Sequence, residues 1–186
     1  MATQYPSIDA KLGKFIAKQH VLFVATATGG SRINLSPKGL DALRVVDGNT
    51  VVYLDHTGSG NETAAHLLAD GRITLMVCAF EGPPMILRLY GRGRSHLKGS
   101  SGYARFLAAH FAGKEPTGAR QIVEMSVELV QTSCGYGVPE FAFGGERRTL
   151  TEWAERKGED GIRAYWGEKN HASLDGLPTG RAKSGA

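Results

Sequence analysis

Cysteine is scarce. The 186-residue chain has two, Cys78 and Cys134, and neither belongs to a CxxC or a Cys/His spacing that would hold zinc. Cys78 lies in the apolar run 73–80 and reads as a small buried hydrophobe, whereas Cys134 sits in a glycine-rich turn. This usage predicts a reduced, cytoplasmic chain. The six histidines form no HxxxH or HExxH pattern, so no metal site is expected. Nowhere do 18 apolar residues run together, and residues 1–19 lack a long apolar core. No membrane span and no secretion signal are therefore expected. Lys and Arg are scattered, without a basic run or an aromatic–basic stripe, which argues against a nucleic-acid partner. No internal repeat or break in composition divides the chain, and one domain over residues 1–186 is expected.

What is present is ordinary for a globular protein: 41% hydrophobic and 22% charged residues. The net charge of +4 is mild and suits an anionic ligand such as a phosphate. Ser7 can cap a helix over 8–19, with Leu12, Phe15 and Ile16 on one face. Residues 21–27 are β-branched and apolar and stop at a Gly-Gly turn. A second short strand over 32–36 ends at Pro37 and Gly39. Asp47-Gly48-Asn49 joins strands 44–46 and 50–55 into a hairpin. A short helix is predicted over 62–69, strands over 72–80, 85–97 and 122–132, and a helix over 102–112. Two helical pieces follow, one through Trp153 and one over 161–169, within a C-terminal helical segment of about 149–172. From Gly176 onward, Pro178, Gly180 and Gly185 predict a frayed tail. Strands joined by short turns outnumber crossovers, which points to a mainly β (α+β) antiparallel barrel with helices at its rim.

Two segments concentrate polar chemistry at strand ends. One is Asn34-Leu35-Ser36-Pro37-Lys38-Gly39, and the other runs from Tyr53-Leu54-Asp55-His56-Thr57 through Gly58-Ser59-Gly60-Asn61-Glu62-Thr63. The second opens a helix, whose first N–H groups lack intrahelical partners. Small residues permit close backbone approach, and Ser59, Asn61 and Thr63 add side-chain donors, a chemistry suited to phosphate. Lys38 can supply the compensating charge.

In this order and spacing, "NLSPKG", "YLDHTGSGNET", an apolar strand and "ILRLYGRGR" resemble the FMN-binding split β-barrel of pyridoxamine 5′-phosphate oxidase-related proteins. The resemblance covers about residues 10–135. It implies a split antiparallel β-barrel that binds FMN at the interface of a homodimer. In that family the first segment runs along the flavin and its phosphate, which implicates Asn34, Leu35, Ser36 and Lys38. The loop after the next strands holds the phosphate and ribityl chain, which implicates Asp55, His56, Thr57, Ser59, Gly60 and Asn61. Where the oxidase has a basic Ser-Arg-Lys, this chain has Ser59-Gly60-Asn61. The phosphate charge then falls to Lys38 or Arg88. The strand 86–94 resembles the one presented to the partner's flavin, with Arg88, Tyr90 and Arg92 on one face by period two. The cluster Gln131-Thr132-Ser133-Cys134-Gly135-Tyr136-Gly137-Val138-Pro139 resembles a stretch near the isoalloxazine in a subset of these flavoproteins, which adds Gln131 and Tyr136. The Arg-Leu-His-Asp-Arg-like motif that holds the oxidase's substrate phosphate has no counterpart here, so the substrate is left open as a small molecule. The resemblance implies an FMN-dependent oxidoreductase. Its alternatives are a non-catalytic flavin-binding or sensor protein and a relative that uses a deazaflavin or heme.

Overall fold

A computed structural model describes residues 2–183. Eight strands form one antiparallel sheet, β1 (Thr3–Tyr5), β2 (Leu22–Thr26), β3 (Asn34–Lys38), β4 (Leu43–Asp47), β5 (Thr50–His56), β6 (Arg72–Cys78), β7 (Ile86–Leu97) and β8 (Ala119–Ser133). Four helices accompany them: α1 (Ala10–Ile16), α2 (Glu62–Ala69), α3 (Ser101–His110) and α4 (Thr149–Lys169). The strand order is β3-β2-β6-β7-β8-β5-β4, with β1 added along β8. The sheet curls, yet no ladder joins β3 to β4, and this opening is the split in the barrel.

Burial follows the period-two pattern. Leu22 and Val24 of β2, Leu75 of β6, and Leu87 and Leu89 of β7 meet Val51, Tyr53 and Met125 in the main core. A second cluster lies under α3, where Tyr103 and Phe106 pack on Val52, Leu54 and Ile122. This is why the first half of β8 is buried on both faces and shows no wet side there. Further along, Tyr90 pairs with Leu129 and Gly91 with Val127, so Glu128 is the extra residue of a bulge.

Several elements differ from the sequence expectation. The first helix is shorter and is capped by Asp9, whose Oδ1 accepts from Leu12 N at 2.7 Å. Pro37 lies inside β3 rather than after it, which an edge strand permits because no neighbour needs its missing N–H. The short strand β1 was not expected. The two C-terminal helical pieces are present, joined at Gly158, whose φ of 66° breaks the helix. The tail is not frayed where described: Ala172 bridges Pro178, and Thr179 is buried. Gly185 lies outside the described residues. No described helix is long and apolar enough to cross a membrane.

Candidate functional site

The two polar segments singled out in the sequence meet across the split. Asn34, Ser36 and Lys38 pair with Thr26, Val24 and Leu22 of β2 and so share their inward face. From there Lys38 Nζ reaches Asp55 Oδ1 at 2.6 Å, and Asn34 Nδ2 lies 3.2 Å from Thr63 Oγ1 on α2. Ser36 Oγ donates to Asn34 Oδ1 at 2.9 Å. Beneath them, Thr26 Oγ1 and His66 Nδ1 are 3.0 Å apart, while the buried His66 Nε2 has no hydrogen-bond partner among the described residues. The Asn61 side chain makes no capping bond at the α2 N-terminus, where Glu62 places a carboxylate in the first turn.

Asp55 is the hub. It is 1% exposed and receives Lys38 on Oδ1, with Arg120 Nε and Gln121 Nε2 each at 2.8 Å on Oδ2. Burial alone would push its carboxyl up. The charges and hydrogen bonds of Arg120 and Lys38 outweigh burial and hold it well below the usual carboxylate range. Asp55, Thr57 and Asn61 are buried, and their side chains are bonded within the chain, where they support the loop. Thr57 Oγ1 donates to Gly118 O at 2.8 Å and accepts from Trp166 Nε1 at 2.7 Å. Asn61 Oδ1 accepts from Gln121 at 2.9 Å. Lys38 is also not a free counter-charge, since Asp55 already takes part of its field. Ser59 remains exposed, and a Cβ at Gly60 would lie 2.9 Å from Glu62 Oε1, the end of a side chain that would have to move aside.

His56 does not join this group. It follows Asp55 on β5, faces the other way, and lines a separate cavity of about 470 Å³ with His110, Arg44 and Lys114. Burial lowers its imidazole below the ordinary histidine value, against the pull of Asp55.

Arg88 and Gln131 are paired residues of β7 and β8 on the outer face of the sheet, while the buried Leu87 and Leu89 point inward. Arg88 Nη1 lies 3.3 Å from Ser133 Oγ, and Tyr90 Oη lies 3.4 Å from Gln131 Oε1. Leu35 belongs to this outer face, 65% exposed, in the row Leu35–Ala25–Thr74–Tyr90, beside the row Pro37–Phe23–Met76–Arg88. Within one chain, Arg88, Gln131 and Leu35 therefore face away from Lys38. Tyr136 is 82% exposed, and the neighbouring Cys134 thiol is lowered by the backbone N–H of Tyr136.

Sequence reasoning missed Arg120, Gln121, Trp166 and Asn170. Arg120 and Gln121 lie near the start of β8, just ahead of the apolar alternation that begins at Ile122, and Trp166 and Asn170 lie more than 100 residues from Thr57 and Gly58, which they bind. A groove of about 1910 Å³ opens beyond Gly39 and Leu40, between α1 and an arm carrying Phe141 and Phe143. Phe143 stacks on His20 at 3.6 Å, and Lys11, Lys14, Lys18, Arg147 and Arg156 line the groove. Among the described residues, no group of three or more His, Cys, Asp or Glu could hold a metal ion.

The pyridoxamine 5′-phosphate oxidase family model matches residues 8–134. The chain belongs to that family. It is 33% identical over 192 residues to the pyridoxamine 5′-phosphate oxidase family protein ustO of Aspergillus flavus, covering 94% of this chain and 76% of ustO. The fold matches that of HupZ from Group A Streptococcus. One HupZ structure gives a TM-score of 0.54 at 20% identity, over 68% of this chain and 99% of HupZ. A second gives 0.51 at 19% identity, over 66% and 91%. The matched region of this oxidase-family chain ends at Cys134, so the arm, α4 and the C-terminal segment that binds the 57–62 loop lie beyond it.

Proposed function

We propose that this oxidase-family protein is a cytoplasmic, FMN-dependent oxidoreductase that works as a homodimer on a small-molecule substrate. The observation that carries the reading is the meeting of Lys38 with Asp55 and of Asn34 with Thr63, on either side of the 57–62 loop, across the split barrel. An ammonium 19% exposed, a serine hydroxyl, the exposed Ser59 and an uncapped helix start together suit a phosphate monoester. FMN would supply the electron transfer, and the protein would supply binding, orientation and local charge.

The two-sided placement of the remaining residues supports the dimer. Arg88, Gln131 and Leu35 face outward, where a second copy can bring them to its neighbour's flavin. The exposed Leu35 and the half-buried Phe23 and Met76 give that face apolar area to bury. A cation such as Arg88 near the pyrimidine end favours the reduced, anionic flavin. The groove beside Gly39 has aromatic walls and a basic rim, which suit an apolar substrate bearing an acidic group.

Light scattering of the purified protein is expected to give about 40 kDa, twice the 19.9 kDa of the chain. The sample should be yellow, and NADH or NADPH should bleach its flavin bands. A monomer that retains flavin contradicts the dimer. Flavin that neither nicotinamide reduces favours the non-catalytic binding protein, and a Soret band favours the heme-using relative.

A further inference from the structure

The C-terminal segment lies over the 57–62 loop and is anchored by one fully buried side chain. Asn170 is 0% exposed. Its Nδ2 donates to Gly58 O at 3.1 Å, and its Oδ1 accepts from Arg120 Nη1 at 2.9 Å. Its backbone oxygen accepts from Thr179 Oγ1 at 2.6 Å and from Asn61 Nδ2 at 3.5 Å. Arg120 Nη1 also donates to Gly60 O at 2.7 Å. Around this anchor, Trp166 holds Thr57, Arg181 stacks on Trp166 at 4.3 Å, and Leu174 N takes the Glu62 carboxylate at 2.9 Å.

A trans peptide is planar, with its C=O and the following N–H pointing in opposite directions. The structure contains no cis peptide bond among its described residues. Gly58 O is drawn to Asn170 and Gly60 O to Arg120. The N–H groups of Ser59 and Asn61 must therefore point away from Asn170 and Arg120. Glycine at 58 and 60 leaves the chain free to take up the alternative orientation when those two bonds are absent.

We propose that Asn170 and Arg120 are positioning residues of the phosphate loop: by holding two alternate carbonyls inward, they fix two alternate N–H donors outward for the cofactor's phosphate. This rests on the FMN reading above. The C-terminal segment, beyond the matched family region, thereby sets the affinity for phosphorylated flavin without touching it. A latch that served stability alone would treat phosphorylated and unphosphorylated flavin alike.

The test uses the full-length protein and its Asn170→Asp variant, titrated with FMN and with riboflavin by flavin fluorescence. Aspartate keeps an oxygen for Arg120 but loses the donor to Gly58 O and sets a carboxylate against it. The FMN dissociation constant should rise about ten-fold, the size of one charge-assisted hydrogen bond, while riboflavin changes less than about two-fold. Thr179→Val, which removes a bond to the same anchor without touching Gly58 O, should alter both flavins equally and provides the structural control. If Asn170→Asp weakens both ligands equally, or leaves FMN unchanged, the positioning role is overturned while the cofactor reading stands. If the wild-type protein itself does not prefer FMN to riboflavin, the cofactor reading fails and the positioning role with it. Should Asn170→Asp not fold, Asn170→Ser takes its place with the same expected split.

Discussion

Asp55→Asn is expected to destabilise the protein by about 3–5 kcal/mol at pH 7, the usual cost of removing one partner from a buried ion pair. Arg120 is 3% exposed, and it would lose its counter-charge without gaining water. Lys38 is nearer the surface and would be relieved more easily. The pH dependence follows from the sign of the Asp55 shift. Its folded carboxyl lies well below the usual range, so its contribution is present above the unfolded value near ~4 and is lost as pH falls below it. Urea melts at pH 7 and at pH 3 check both statements. The gap between wild type and Asp55→Asn should be wide at pH 7 and should shrink at pH 3. A gap of under about 1 kcal/mol at pH 7 would mean that the cluster around Asp55 does not hold the split together.

Gly91→Ala tests the bulge that shapes the outer face. A Cβ at Gly91 would lie 2.0 Å from the Ser126 carbonyl oxygen and 3.0 Å from its carbon. Both are backbone atoms of the paired strand, so no rotamer change relieves the clash. The expected loss is about 3 kcal/mol, the upper end for overpacking, or roughly 6–12 °C in Tm for a chain of this size. Gly30→Ala, where a Cβ meets nothing within 4 Å, should shift Tm by less than about 2 °C. A variant that melts with wild type would show that β8 does not bulge at Glu128.

The elements legible in the sequence are those with strong local signals. The helix over 62–69 agrees with α2 to the residue, and β5, β6 and β7 agree within two residues, because long β-branched runs and flanking glycines or prolines mark them. The hairpin at Asp47-Gly48-Asn49 was legible for the same reason. β1 was not, since Thr3, Gln4 and Tyr5 gain strand character only by pairing with β8. At the site, the segments around Lys38 and Asp55 stood out as polar strand ends, but their mutual ion pair could not be read from residues 17 apart. Asn170 and Thr179 carry no local pattern. Asn170 is held by bonds to Gly58, Arg120 and Asn61, far away in sequence, and Thr179 by bonds back to Asn170 and His171, while the glycines nearby read as a loose tail. Composition records how freely a segment can move when unpartnered, and here the partner is a loop more than 100 residues upstream.

The split barrel is proposed to hold a phosphorylated flavin through Lys38 and the 57–62 loop. Equilibrium titration of the flavin-free protein with FMN, riboflavin and heme tests it most directly. FMN should bind at least about ten-fold more tightly than riboflavin, since a charge-assisted phosphate contact is worth at least about 1.5 kcal/mol. Heme should not compete for the site. Equal affinity for FMN and riboflavin, or displacement of FMN by heme, would contradict the account.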